Sequence, residues 1–277
     1  MTATGSQGPR LEAVEVGYAY SGRTPTQALE GLTLEVRDNE FLALLGPVGC
    51  GKTPLLRIFA GFLRPAKGTV RCDGASIDGP GPQRGYVLQE DAIFPWMTVR
   101  ENVEFGLRAK GLAPAARRAV SGELLELIGL SAFEAAHPKE LSAGMSKMVE
   151  VARVLATDPS ILLLDEPFGA LDTQTRAKMQ NALARLWEQR RKTVVFVTHD
   201  PEEAIHLADR IVVISPRPGR VVAELAVDLP RPRSLETRFS PDFSALKRRI
   251  WEVLGLGGGP AAAPAPVGLQ GGRSASR

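Results

Sequence analysis

The sequence predicts an α/β protein in which a mainly parallel sheet is covered by helices on both faces. A small antiparallel β subdomain precedes that core, and an α-helical subdomain interrupts it. Three observations carry this expectation. Apolar runs at 41–45, 161–164, 193–198 and 210–214 alternate with helical stretches, as strands buried on both faces do. The early segments LEAVEV (11–16) and LTLEV (32–36) instead alternate apolar with polar, the period-2 signature of half-buried strands. The stretch 91–156 carries helical spacing with few strand signals.

In chain order, residues 1–10 read as a leader, and 11–90 together with 157–225 as the core. FLALL (41–45) runs into glycine as a central strand, and 54–60 is a short helix stopped at Gly61. TVRC (69–72) and GYVLQ (85–89) are further strand candidates. Helical periodicity recurs at 99–107, 115–130 and 145–156, making 91–156 the inserted subdomain. A longer helix over 173–191 places Met179, Leu183, Leu186 and Trp187 on one face. Residues 226–254 form a C-terminal extension whose Leu246, Ile250, Val253 and Leu254 fall at docking spacing. From 255 to 277 the chain is rich in Gly, Ala and Pro and reads as disordered.

The composition narrows the function. With 277 residues and 44% hydrophobic content, the chain can bury a sizeable core. A formal net charge of +3 gives no reason to expect nucleic acid as a partner. Both cysteines, Cys50 and Cys72, fit a reducing cytoplasm, and the first residues show no secretory pattern. The apolar runs fall far short of the ~20 residues that a membrane helix needs.

The segment GPVGCGKTPLL (46–56) holds Gly46, four residues, then Gly51, Lys52 and Thr53. That is the spacing of a phosphate-binding loop between a strand and a helix. Gly46, Gly49 and Gly51 let backbone N–H groups converge on phosphate oxygens, and the helix start adds a favourable dipole. Lys52 reaches the β- and γ-phosphates, while Thr53 offers a hydroxyl to magnesium. Such a loop needs a strand ending in an acid, and ILLLDE (161–166) supplies one. Asp165 can hold the metal shell, and Glu166 can accept a proton from attacking water. The fold class is therefore a P-loop NTPase (RecA-like) core, with ATP and Mg2+ as the expected ligands.

LDEPFGALD (164–172) followed by VTHD (197–200) resembles the ATP-binding subunit of ABC transporters. IFPWMTV (93–99) and SPRPGR (215–220) are similar to its nitrate, sulfonate and taurine uptake branch. The resemblance spans about residues 11–225. It implies that Gln89 touches magnesium and links the core to the helical insertion, and that His199 contacts the γ-phosphate. It places Asp172 in a loop crossing a dimer interface and Tyr20 against adenine, with Tyr18 as a competitor. It sets LSAGM (141–145) where a Leu-Ser-Gly-Gly signature should stand, so that Ser142 and Gly144 grip phosphate held by the opposite subunit.

Three departures stand out. Pro54 replaces a hydroxyl residue and removes an N–H donor to the α-phosphate, while biasing Thr53 away from helical angles. Ala143 replaces the first signature glycine, where a methyl group could crowd phosphate or forbid a positive φ. Ser146, Lys147 and Met148 replace an Arg-Gln-Arg run, which should weaken pairing near the dimer seam.

The expected function is an ATP-hydrolysing importer subunit that powers uptake of a small oxyanion through a separate permease. It would sit peripherally on the cytoplasmic face of the membrane, as a homo- or heterodimer of homologous ATPase subunits, served indirectly by a solute-binding protein. The permease's coupling helix would dock near Gln89 to Trp96. One alternative is a degenerate regulatory subunit with little turnover, paired with an active homologue. Another is a soluble ATPase acting on nucleic acid or ribosomes, which usually carries tandem cassettes or coiled-coil insertions that this chain lacks.

Overall fold

A computed structural model describes residues 8–22, 25–90 and 92–255. Most of the leader and of the tail read as disordered therefore lies outside the described residues. In chain order the elements are β1 (Leu11–Tyr20), β2 (Thr26–Val36), β3 (Phe41–Leu45), α1 (Lys52–Ala60), β4 (Lys67–Cys72), β5 (Ala75–Ser76) and β6 (Arg84–Val87). The inserted helices follow: α2 (Val99–Ala109), α3 (Pro114–Leu127) and α4 (Ala143–Ala156). The core then resumes with β7 (Ile161–Asp165), α5 (Thr173–Gln189), β8 (Thr193–Thr198), α6 (Pro201–Leu207), β9 (Arg210–Ile214) and β10 (Val221–Ala226), and α7 (Pro241–Val253) closes it.

The strands form two sheets. One has the order β2-β1-β4-β5 and is antiparallel. The other runs β10-β9-β3-β8-β7-β6, parallel except for the β10 edge. Every residue of β3, β7 and β8 is buried, which is why these strands read as unbroken apolar runs. In β2 the segment LTLEV alternates buried and exposed, as its period-2 pattern requires.

Two apolar clusters hold the layers. Leu11, Leu34, Leu44, Leu56 and Phe59 pack between the sheets around α1. Phe41, Phe168, Phe196, Leu183 and Trp187 pack on the other face of the parallel sheet, continuous with the inserted helices. α1 starts at Lys52, two residues before the helix expected from Pro54, because the loop glycines deliver the chain already turned into the helix.

Carboxyl ends of neighbouring parallel strands converge on one edge. Leu45 of β3 pairs with Thr198 of β8, Val197 of β8 with Asp165 of β7, and Leu164 of β7 with Val87 of β6. The segments leaving that edge carry Gly46, His199, Glu166 and Gln89, in the order of the strands. Open α/β sheets bind ligands at this edge.

The C-terminal extension docks back onto the core. Phe243 and Ile250 of α7 are buried. Arg233 donates to the carbonyls of Ile205, Ala208, Val227 and Leu229, and Arg231 and Arg191 each lie over the Trp187 ring. Arg233 thereby satisfies carbonyls left free where α6 ends.

Candidate functional site

The loop after β3 is shaped by residues whose conformation few side chains tolerate. Gly51 caps α1 at φ 106, and a Cβ there would meet Ala28 O at 2.7 Å and Leu29 Cδ2 at 2.6 Å. Gly49 has φ 78. Lys52 is almost wholly buried, and its Nζ donates to Gly46 O at 2.7 Å and Pro47 O at 3.0 Å. The ammonium is thus held beneath the loop, 3.8 Å from Glu166 Oε1. Pro54 is the third residue of α1, where backbone N–H groups have no intrahelical partner. The ring costs the helix no bond, Leu55 N still reaches Gly51 O, and Thr53 remains helical despite the proline after it.

The strand end at β7 is wired to this loop. Thr53 Oγ1 donates to Asp165 Oδ1, and Tyr86 Oη donates to Asp165 Oδ2, both at 2.7 Å. Burial, then the neighbouring Asp165 charge, pushes the Tyr86 phenol pKa up, so it stays a donor. Glu166 adopts φ 42, a left-handed conformation that is strained for a residue with a Cβ and turns its carboxylate across the strand ends. Its backbone N–H bonds Val197 O, and its Oε2 lies 3.1 Å from His199 Nδ1. With Glu166 ionised, the imidazole Nδ1–H is the donor.

His199 sits in a turn fixed from below. Thr198 Oγ1 donates to Glu203 Oε2 at 2.6 Å and accepts from Asp200 N at 3.0 Å. Gln180 Nε2 bonds the other oxygen of buried Glu203, and Arg238 of the C-terminal segment donates to Gln180 Oε1. Burial raises the Glu203 pKa, opposed by the Thr198 bond.

A cavity of ≈ 210 Å3 at the loop is bordered by Tyr20, Gly51, Lys52, Thr53, Gln89 and Arg217. Tyr20 is half-exposed there, with its ring 5.3 Å from Tyr18 in an edge-on pair; Tyr18 packs on the core between the sheets, so Tyr20 is the one at the pocket. Gln89 is exposed, two residues past the end of β6. The Thr53 hydroxyl and Asp165 carboxylate form a hard-oxygen pair that fits magnesium, which takes one or two protein oxygens with phosphates and water.

The signature segment lies apart, at the start of α4. Ser142 is the exposed N-cap and accepts from Met145 N. Ala143 opens the helix without a positive φ, so no left-handed position is blocked. Gly144 is buried, and a Cβ there would lie 2.4 Å from Thr175 Cγ2 of α5; its missing side chain lets α4 approach α5. Asp172 is exposed and caps α5, accepting from Gln174 N and Thr175 N. Those bonds, the Thr175 ones first, lower its pKa.

The expectation for the Ser146, Lys147 and Met148 run needs correction. All three are buried, so they cannot act as surface charges at a seam. Lys147 Nζ instead donates to Leu88 O, Glu90 O and Glu150 Oε2, while Glu150 Oε1 accepts from Leu88 N. This pair ties α4 to the segment carrying Gln89. Spacing alone hid it, because an i,i+3 Lys–Glu pair on a helix is usually a solvated face. Tyr86 and Glu203 were missed as well, since neither belongs to the motif spacing that pointed to the site.

Residues 29–169 match the ABC transporter family. The chain is 44% identical to an aliphatic sulfonates import ATP-binding protein of Bacillus licheniformis, over 83% of this chain and 88% of that one. It is 44% identical to a taurine import ATP-binding protein of Rhizobium johnstonii over 85% and 92%, and 40% identical to a nitrate import ATP-binding protein of Synechocystis sp. over 88% and 94%. A solved dimeric ATP-binding cassette in a post-hydrolysis state, bound to ADP and Pi, superposes with TM-score 0.70 at 31% identity, covering 79% of this chain and 100% of that one. With this match and this fold, the chain belongs to the ABC transporter family.

Proposed function

We propose that this chain is the ATP-binding and ATP-hydrolysing subunit of an ABC importer, powering uptake of a small oxyanion of the nitrate, sulfonate or taurine type. The observation that carries the reading is the convergence of Lys52, Thr53, Asp165, Glu166 and His199 on one sheet edge, bonded to one another or to the phosphate loop. None of the residues that handle water and γ-phosphate is substituted, and the comparisons lend nothing to the degenerate alternative.

In this reading the core is 11–90 with 157–225, the helical subdomain 91–156 and the extension 226–254. Two copies close head to tail, with Ser142 and the N-terminus of α4 from one facing the phosphate loop of the other. Tyr20 stacks on adenine, the loop amides and Lys52 hold the phosphates, and Asp172 sits at the closing interface. Thr53 and Asp165, with Gln89 nearby, would hold magnesium, which would supply neutralisation of phosphate charge. Glu166 takes the proton of the attacking water, and His199 fixes that carboxylate and meets the γ-phosphate. Lys52 stabilises charge on the transferring phosphoryl group.

No helix among the described residues is long and apolar enough to cross a membrane; in this reading a separate permease does so. Its docking surface is the aromatic cluster below Gln89. Trp96 is 69% exposed and Phe105 is 42% exposed; Phe94 stacks between them under Arg153. An exposed aromatic patch of this kind suits a short apolar helix. The chain then lies peripherally on the cytoplasmic face, and a solute-binding protein delivers cargo from the other side.

Proteoliposomes holding this chain and its neighbouring permease test the assignment. Solute-binding protein loaded with nitrate, an alkanesulfonate or taurine should stimulate ATP hydrolysis with one of the three. Hydrolysis indifferent to all three would overturn the substrate class.

A further inference from the structure

The loop 215–220 between β9 and β10 lies against the phosphate loop, and the reading above gives it no role. Its backbone is fixed from several sides. Gly219 N donates to Ala28 O at 2.8 Å, Glu30 N to Gly219 O at 3.2 Å, and Ser215 N to Arg220 O at 2.9 Å. Ser215 Oγ also bonds Pro218 O and Arg220 N, both at 3.0 Å. Gly219 packs so closely that a Cβ would stand 2.1 Å from Cys50 O. This loop is rigidly mounted on the cradle.

From that mount Arg217 extends along the rim of the pocket that holds Tyr20, Lys52 and Thr53. Its Nε donates to Gly49 O at 3.2 Å. Among the described residues its terminal nitrogens have no hydrogen-bond partner, and the side chain is exposed. Lys52, the other cation at the pocket, is by contrast tied to two loop carbonyls. On the same pocket wall Pro54 has no N–H to offer. A guanidinium anchored by one nitrogen, with its outer edge free, is the side chain best shaped for bidentate contact with phosphate oxygens.

We propose that Arg217 is a nucleotide-binding residue, whose guanidinium contacts the ATP phosphate chain and makes up for the donor missing at Pro54. The proposal rests on the nucleotide-site reading above. Arg217 acts on affinity rather than on cleavage, since it is anchored to Gly49 and, among the described residues, makes no hydrogen bond or ion pair with Glu166 or His199.

Calorimetric titration of the full chain with magnesium-ATP, in wild type, Arg217→Ala and Arg217→Lys, tests this. Arg217→Ala should weaken binding about tenfold, or about 1.4 kcal/mol. Arg217→Lys should recover part of that loss, and the wild type should lose affinity more steeply with added salt than Arg217→Ala. Pro54→Ser should tighten binding more in the Arg217→Ala background than in wild type, because the two donors stand in for each other. In steady-state hydrolysis the loss should fall on KM rather than kcat. Thermal melting controls for the fold, and the exposed Arg217 should leave it in place.

If wild type binds magnesium-ATP and Arg217→Ala binds within twofold of it, the inference is overturned while the nucleotide site stands. If wild type itself does not bind, the site reading fails and takes the inference with it. Loss of discrimination between ATP and GTP with an unchanged salt slope would place the guanidinium on the base, and overturn the phosphate assignment.

Discussion

On the phosphate side of the site, Lys52 is bonded to its own loop, both oxygens of Asp165 are pinned, and Glu166 is held by Val197 and His199. On the signature side, Ser142 and Ala143 stand exposed at the tip of α4, while the helix behind them is locked by Gly144 against Thr175 and by Lys147 beneath the segment carrying Gln89. One half is assembled within the chain. The other is a rigid tip on a buried root, ready to meet something outside it. In the proposed reading, the phosphate side keeps the groups assigned to water and γ-phosphate, whereas the signature side departs from the expected pattern at both its tip and its root.

The largest way to break this contrast is chemical. Glu166→Gln should slow ATP cleavage by about 10²- to 10⁴-fold while ATP still binds, as seen in single-turnover assays. A smaller loss would mean that the prewired half lacks its base. Next comes the buried root. Lys147→Met should destabilise by about 3–5 kcal/mol in denaturant titrations, because it strands the Glu150 carboxylate. Lys147→Met with Glu150→Leu should regain more than half of that. Gly144→Ala should cost about 1–3 kcal/mol by overpacking α4 on α5, visible as a lower Tm.

The smallest effect lies remote from both halves. Burial, then the charges of Arg238, Arg233 and Arg231, lowers the His206 pKa from 6.5 to about 4. Its Nε2–H donates to Asn181 Oδ1, and Nδ1 has no hydrogen-bond partner among the described residues. Between those two values the unfolded chain binds a proton that the folded chain refuses. The contribution is therefore whole above pH 6.5 and is lost as pH falls toward 4. Going from pH 6.5 to 5.5 should remove about 1 kcal/mol in wild type, and the decline should be shallower in His206→Gln.

Much of this architecture was legible because its causes are local. Unbroken apolar runs declared the buried strands, alternation declared the antiparallel sheet, and the spacing from Gly46 to Thr53 declared the cradle. What stayed hidden depends on contacts between distant segments. Lys147 looked like a surface charge, since nothing in the spacing says that Leu88 and Glu90 carbonyls lie over it. Ala143 looked like a backbone obstacle, since sequence does not show that the position has helical φ. Pro54 biases Thr53 away from helical angles by residue type alone, yet Thr53 lies within α1. Arg217 belonged to a branch motif with no assigned task until Gly49 was seen beside it.

The central claim is that the prewired cradle of one copy is completed by the signature tip of another. Single-turnover ATP cleavage by two crippled variants and their mixture measures it directly. Lys52→Ala disables the cradle and Ser142→Arg the tip, so each alone should cleave ATP at a small fraction of the wild-type rate. Their equimolar mixture should recover a substantial part, because mixed pairs contain one intact composite site. Wild-type cleavage by Ser142→Arg alone, or a mixture no faster than its components, would contradict the account.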